Sequence, residues 1–426
     1  MKSIAACSKL RLCICVLLFC CLLFPVFSID LNVNYGADLS AKFAVSDWLS
    51  YEYKLSPWID FRFAEGWRFT AQGSAYYRLN PKVPHARPFF DIELFRIQTP
   101  KLPFCHGFVT YELGRIKIKD THEMIMNESA DGVALHVNIP GIVMDVTASY
   151  IGFQSYYTSM AMLSYDDFYN ASVLPKPYYD FAGRRAVFQW STLFPEFGGN
   201  RVDLFGDMIA QIDLRKVIND NKYLTKKKQD VKELVDSIYL ATGINGPFPR
   251  ATKLYYDIGV VGEAISRQTS KKSETFMAGY LNAGLSWFLM RNMQLATRLQ
   301  YGTPNNDEGM SEYRPISYKN AGIFYEGGFA DLAKPELSFK WKPSNQVAFS
   351  TSLAGFIRPR TKEEMKGLKR REKFEKIYTY TEFSLGGTFV LANDVRIGAD
   401  IMYGMNSIKK NRQFDYSVQL KFNVGL

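Results

Sequence analysis

From Trp67 to Arg78 the chain alternates without exception. Trp67, Phe69, Ala71, Gly73, Ala75 and Tyr77 form one set, and Arg68, Thr70, Gln72, Ser74, Tyr76 and Arg78 the other. Successive side chains of a β-strand point to opposite faces, so this segment carries one apolar and one polar face. A strand of a soluble sandwich reads the same way, and length separates the two cases. Ten steps of about 3.3 Å, tilted by about 45°, cover roughly 24 Å of membrane normal, which is the height of the apolar band on a membrane barrel. The pattern recurs in Phe414 to Leu426, where Phe414, Tyr416, Val418, Leu420, Phe422, Val424 and Leu426 oppose Asp415, Ser417, Gln419, Lys421 and Asn423. Ile142 to Tyr150 repeats it. Arg201 to Ala210 repeats it with noise, because Phe205 and Ile209 interrupt the polar set, and Leu254 to Val261 is weaker still.

The connections alternate as well. Tight turns fall at Ala64-Glu65-Gly66, Pro140-Gly141, Met290-Arg291-Asn292, Pro343-Ser344-Asn345 and Ala392-Asn393-Asp394. Long polar segments lie between them, at Asn80 to Arg87, Lys119 to Ser129, Gln154 to Asp180, Asp213 to Arg250, Gly302 to Lys319 and Arg358 to Lys376. Short turns at one rim and long loops at the other predict an all-β fold, a transmembrane antiparallel up-and-down β-barrel of about 16 to 18 strands. The short turns are then periplasmic and the long loops extracellular. Val231, Leu234, Val235 and Ile238 stand at helical spacing within Lys226 to Ile238, which leaves a short amphipathic helix and a charged loop both open. Thr361 to Lys376, with seven Lys or Arg and four Glu, reads as an exposed loop.

The first residues differ in kind. Lys2, Lys9 and Arg11 precede the apolar stretch Leu12 to Phe24, and Val26-Phe27-Ser28 supplies a cleavage signature, so residues 1–28 read as a signal peptide and 29–426 as one barrel domain. Export to the bacterial outer membrane is the localisation this implies. Five of the six cysteines fall in the leader, leaving Cys105 alone and excluding a disulfide framework within the mature chain. Beyond Ser28 no run of 18 apolar residues occurs, which rules out a bundle of membrane helices although hydrophobic residues reach 47%. Without the three basic residues of the leader, 49 Lys and Arg face 42 Asp and Glu, a mild surplus without nucleic-acid patterning.

In these features the chain resembles bacterial outer-membrane β-barrels of the porin type. Gly114-Arg115 closing one strand, followed by a loop and Asp131-Gly132-Val133-Ala134-Leu135 opening the next, is similar to a strand, loop and strand element of alginate-export-like and phosphate-selective porins. Ile116 stands where those families often carry a polar residue. The cysteine-rich leader and terminal Leu426 are similar to those of spirochaetal outer-membrane proteins. The resemblance implies the barrel assembly machinery and outer-membrane lipid as partners.

Chemistry is sparse. His85, His106, His122 and His136 lack metal-ligand spacing, and no phosphate loop, dinucleotide fingerprint or nucleophile elbow occurs. Neither an enzyme, a cofactor nor a metal site is expected. The polar faces carry charges instead. Arg62, Arg68, Arg78, Arg115, Lys117, Arg184, Arg201 and Arg298 are read as lumen-facing, with Asp60, Glu93, Asp145, Asp203, Asp207, Asp257, Glu382 and Asp400. Charges facing a narrow wet lumen set ion selectivity. Trp58, Trp67, Trp190, Trp287 and Trp341 read as interfacial girdle residues. Two functions fit: a channel for small polar or anionic solutes, and a non-conducting barrel whose large loops meet host or envelope ligands. In the channel reading Gln154 to Asp180 folds inward, and Tyr156, Tyr157, Tyr165, Tyr178 and Tyr179 line a track for ring-shaped solutes.

Overall fold

The computed structural model describes residues 32–45, 49–63, 66–79, 87–155, 158–164, 167, 181–199, 201–217, 230–304, 312–318, 321–322, 328–358, 378–392, 395–406 and 414–425. The signal segment 1–28 and the five tyrosines of the expected track lie outside them.

Eighteen long strands make the wall: β1 (Asn32–Val45), β2 (Leu49–Arg62), β3 (Arg68–Leu79), β4 (Arg87–Gln98), β5 (Gly107–Lys119), β6 (Asn127–Ile139), β7 (Ile142–Tyr150), β8 (Arg185–Phe194) and β9 (Asp203–Asp213) form the first half. The second half is β10 (Glu233–Phe248), β11 (Ala251–Thr269), β12 (Ser273–Met290), β13 (Met293–Gly302), β14 (Leu332–Trp341), β15 (Val347–Arg358), β16 (Tyr378–Ala392), β17 (Val395–Asn406) and β18 (Phe414–Gly425). Each strand pairs antiparallel with its neighbour in sequence, and β1 pairs with β18 from Gly36 opposite Gly425 to Val45 opposite Tyr416, closing the sheet. Closure leaves no edge, the condition for a sheet in lipid, where no water can satisfy an orphaned N–H or C=O.

The alternation maps onto two surfaces. Leu39, Leu55, Leu113, Trp190, Leu240, Leu337, Phe389 and Leu420 point outward and are exposed on the isolated barrel. In water such a surface would mark a binding patch; around a barrel it is the lipid face. The expected helix within Lys226 to Ile238 is corrected where it is described: Asp230–Val231 is a short strand and Glu233–Phe248 a long one, so Leu234, Val235 and Ile238 follow a period of two. The expected loop Asp213 to Arg250 shrinks accordingly.

Two irregularities matter below. Gln72 pairs with Leu94 but Gly73 with Ile92, so β4 carries one extra residue, and its outward set switches from Phe90 and Ile92 to Phe95 and Ile97. At Gly114, φ is +121°, and a Cβ there would collide with the carbonyl oxygen of Phe95. Beyond this point β4 and β5 separate, their pairing running only from Gln98 opposite Glu112 to Phe95 opposite Arg115.

Gly114→Val is therefore expected to lower the unfolding free energy by about 3 kcal/mol, since it combines a backbone clash with a disallowed φ. Gly141→Ala, at φ +79° with nothing within 4 Å of the new Cβ, is expected to cost only about 1 kcal/mol. Urea unfolding in lipid vesicles, followed by tryptophan fluorescence, checks the contrast; equal costs would refute it.

Candidate transport lumen

The inner wall has two unlike halves. From β5 to β12 many inward positions are apolar and buried, among them Ile116, Ile118, Phe205, Ile209, Val235, Tyr239, Ile265 and Tyr280. Buried apolar residues cannot line a wet pore, and what covers them is three connections folded into the lumen, residues 120–126, 151–184 and 303–331. Met124, Ile125 and Met126 of the first, Ile151 and Leu163 of the second, and Tyr313 and Ile316 of the third join the same cluster.

Polar bonds fix these connections. Asp120 accepts the N–H groups of Met124, Ile125 and Met126 at 2.8, 2.9 and 2.6 Å, closing the first into a compact turn. Burial raises the Asp120 carboxyl above its ordinary range even against those three donors. Thr121 reaches Asp207 on β9 at 3.1 Å, and His122 Nε2 lies 2.9 Å from Asp257 on β11. The three connections also bind one another. Ser317 N–H donates to the Ile125 carbonyl, Tyr318 N–H to that of Met160, and Tyr313 Oη–H to that of Met124. Tyr313 stacks on Tyr280 at 4.9 Å.

The second connection is tied most strongly. Asp167 accepts from Arg185 at 2.6 Å and from Arg215 at 2.6 Å; Arg215 also holds Asp213 at 2.5 Å, and all four side chains are at most 3% exposed. Burial alone would raise the Asp167 carboxyl, but the two guanidinium groups outweigh it and hold it at about 2. Buried charges persist only when paired and hydrogen-bonded, and two arginines against two aspartates meet that condition. The described part of the inward connection expected from Gln154 to Asp180 is thus a packed plug segment.

The other half of the lumen is polar. Across β2, β3 and β4, Ser56 meets Ser74 at 2.9 Å, Arg68 meets Asp60 at 2.6 Å, and Glu93 takes Lys54 at 2.5 Å and the Tyr76 hydroxyl at 2.7 Å. Arg96 grips both oxygens of Glu112 at 3.0 and 3.1 Å, while His136 lies 2.6 Å from Asp145. On the far side Lys421 meets Asp400 at 2.8 Å and Lys334 meets Glu336 at 3.1 Å.

The sequence-expected residues distribute unevenly. Arg62 and Arg68 share Asp60, at 3.5 and 2.6 Å, and Arg298 stands inward, 3.9 Å from Asp257. Arg78 lies in β3 opposite Glu52. Asp145 faces the lumen with His136, and Glu382 faces it half-covered by Gly322, being 6% exposed. Asp203 accepts the Glu196 N–H at 3.0 Å and so caps the turn before β9, where Arg201 is exposed at a positive φ.

Four readings are corrected. Arg115 shares the outward alternation of Tyr111 and Leu113. Its guanidinium is consumed by Asp131, the carbonyls of Ile92 and Phe153, and Asp91, which makes it the rivet of the joint where β4 and β5 part. Lys117 follows it on the outward face and is exposed. Arg184 likewise continues the outward set of Ala186 and Phe188. Trp58 turns inward over Gly36, where a Cβ would meet its ring at 2.6 Å. Sequence reasoning missed Lys54, Arg96 and Glu112. Arg96 was masked by the extra residue in β4, whereas Lys54 and Glu112 sit in regular alternation and were findable.

Near the short-turn rim a cationic surplus remains. Lys340 and Arg396 occupy inward positions close to the ends of β14 and β17 and have no carboxylate partner among the described residues. Arg62 and Arg68 stand at the same rim, two cations on one Asp60.

The architecture defines a porin-type barrel, and crystal structures of Pseudomonas aeruginosa OprD/Occ outer-membrane porins have the same fold. OccK5 (OpdH) superposes with a TM-score of 0.57 at 9% identity, over 93% of this chain and 98% of that one. OpdQ gives 0.56 at 11%, over 93% and 99%. OccK2 (OpdF), in complex with glucuronate, gives 0.56 at 10%, over 93% and 98%. No protein-family model and no curated protein matches the sequence.

The Asp167 pairing sets a pH dependence. Its folded value lies below the ordinary 3.8, so the stabilisation is full above about pH 4 and is lost as pH falls toward about 2. Pepsin is expected to cut residues 151–184 only near the bottom of that window. In Asp167→Asn, which leaves two buried guanidinium groups short of a charge at a cost of about 3 kcal/mol, cutting by trypsin is expected already at neutral pH. Equal resistance of the two proteins would refute the anchor.

Proposed function

We propose that this chain is a non-enzymatic outer-membrane channel, exported through its leader, that passes small polar solutes and favours anions. The observation that carries this is the divided lumen. One half is sealed by inward connections, while the other, from β14 through β18 to β4, presents charged and hydroxyl side chains to a continuous path. Support also comes from the fold it shares with porins, one of which was crystallised with the anion glucuronate. The solute path follows the polar half, and Arg62, Arg68, Lys340 and Arg396 bias it toward anions at the periplasmic mouth, where a low-dielectric wall weakens screening.

Single-channel recording of the refolded protein in a planar bilayer, with the reversal potential in a salt gradient, tests this. Discrete steps with anion preference are expected. Lys340→Glu with Arg396→Glu should move the reversal potential toward cations, whereas Lys117→Glu, on the outer face, should leave it in place. A folded, inserted protein without conductance would overturn the channel reading.

A further inference from the structure

At the long-loop end, the outward face of the barrel is not uniform. On β1 to β3 and β16 to β18 its last positions are aromatic: Phe43, Tyr53, Tyr77, Tyr403 and Tyr416 are all exposed, and Phe43, Tyr53 and Tyr77 touch ring to ring at 6.0 and 6.5 Å. Aromatic rings at this height are the ordinary interfacial girdle. From β5 to β10 the girdle is replaced by bases. Lys117, Arg184, Lys216 and Lys232 are all exposed, and each continues the outward alternation of its strand beyond the lipid-facing apolar residues. Lys117 follows Leu113 and Arg115. Arg184 precedes Ala186 and Phe188, Lys216 follows Ile212 and Leu214, and Lys232 precedes Leu234.

The four belong to one arc. Leu214 N–H donates to the Arg184 carbonyl, and Lys216 pairs with Asp230, two residues before Lys232. With strands about 4.8 Å apart, the arc from β5 to β10 is about 25 Å wide. The nearby outward carboxylates are engaged: Asp131 by Arg115, and Asp236 by the Asp213 N–H. Lys119 leans toward Glu123 at 3.8 Å and is not counted with the four.

We infer that this arc binds phosphate-bearing lipid of the leaflet on the long-loop side. Phosphates would lie against Lys117, Arg184, Lys216 and Lys232, and acyl chains against the exposed Leu113, Val133, Phe188 and Trp190 beneath them. An amphipathic occupant is favoured over a soluble one because the basic arc is continuous with the apolar belt, each base standing one or two alternate steps from it. Basic clusters at the membrane surface attract anionic headgroups additively. The inference rests on the membrane insertion that the channel reading also assumes, and not on conduction.

The test uses native mass spectrometry of the full barrel released from nanodiscs of phosphatidylglycerol mixed equally with phosphatidylcholine. Heat-modifiable gel mobility verifies folding and insertion. Phosphatidylglycerol is expected to be retained about tenfold over phosphatidylcholine. The variant K117Q/R184Q/K216Q/K232Q should lose that preference, while K340Q/R396Q, with lumen charges removed, should keep it. An unchanged preference in the fourfold variant, an equal loss in the lumen variant, or displacement by millimolar inorganic phosphate alone would overturn the inference and leave the channel reading standing. A chain that fails to insert would overturn both.

Discussion

Every feature of this barrel depends on the seam between β1 and β18. In hydrocarbon an unpaired N–H or C=O has no water to turn to, so a sheet can cross only when its first and last strands meet. Once they pair, from Gly36 with Gly425 to Val45 with Tyr416, the side-chain period of two assigns each residue to lipid or lumen, and a slip of one residue would reverse the assignment. The outward set is then constrained identically all round the wall. The inward set is free to differ from strand to strand, and it does: apolar where connections fold against it, polar where they do not.

That asymmetry explains what was legible. Lipid imposes one demand on every strand, so the outward alternation in Trp67 to Tyr77 or Tyr416 to Val424 announced the barrel. The noise in Arg201 to Ala210 was itself information. Phe205 and Ile209 stand on the inward face because Met124 and the other inward residues pack against that region, and a local reading has no access to a partner some 80 residues away in the chain. The long strand Glu233–Phe248 was hidden for a similar reason. Val231, Val235 and Tyr239 are buried inside while Ile238 and Leu240 face lipid, so both faces are apolar and the period of two dissolves. The expectation of an inward connection after β7 agrees with the described residues, and its anchor, Asp167 between Arg185 and Arg215, was not visible because its members are 18 and 48 positions apart.

The Gly114-Arg115 and Asp131-Gly132 element singled out in the sequence has a structural meaning unlike a pore lining. Gly114 faces Gly132 and Arg115 faces Asp131 directly across the β5 and β6 pair. The glycines let backbones approach where a Cβ would strike a neighbouring carbonyl. Arg115 then spans the opening beside β4 with donors to two carbonyls and two carboxylates. Such a fork needs a planar guanidinium; a lysine would supply one point charge to the same four acceptors.

Arginine thus occupies four environments in one wall, and the surroundings decide what each does. Arg185 and Arg215 are shielded from water, so their desolvation must be met by two carboxylates, and the result is an immobile anchor. Arg115 is nearly as buried but lies in the wall, where carbonyls complete its shell. Arg62, 57% exposed, keeps a loose 3.5 Å contact with a carboxylate already taken by Arg68, so most of its field reaches the lumen. Arg184 looks away from the lumen, at the height where hydrocarbon gives way to headgroups. An arginine in a barrel sequence is thus no sign of a pore lining until its face, its depth and the acceptors within its reach are known.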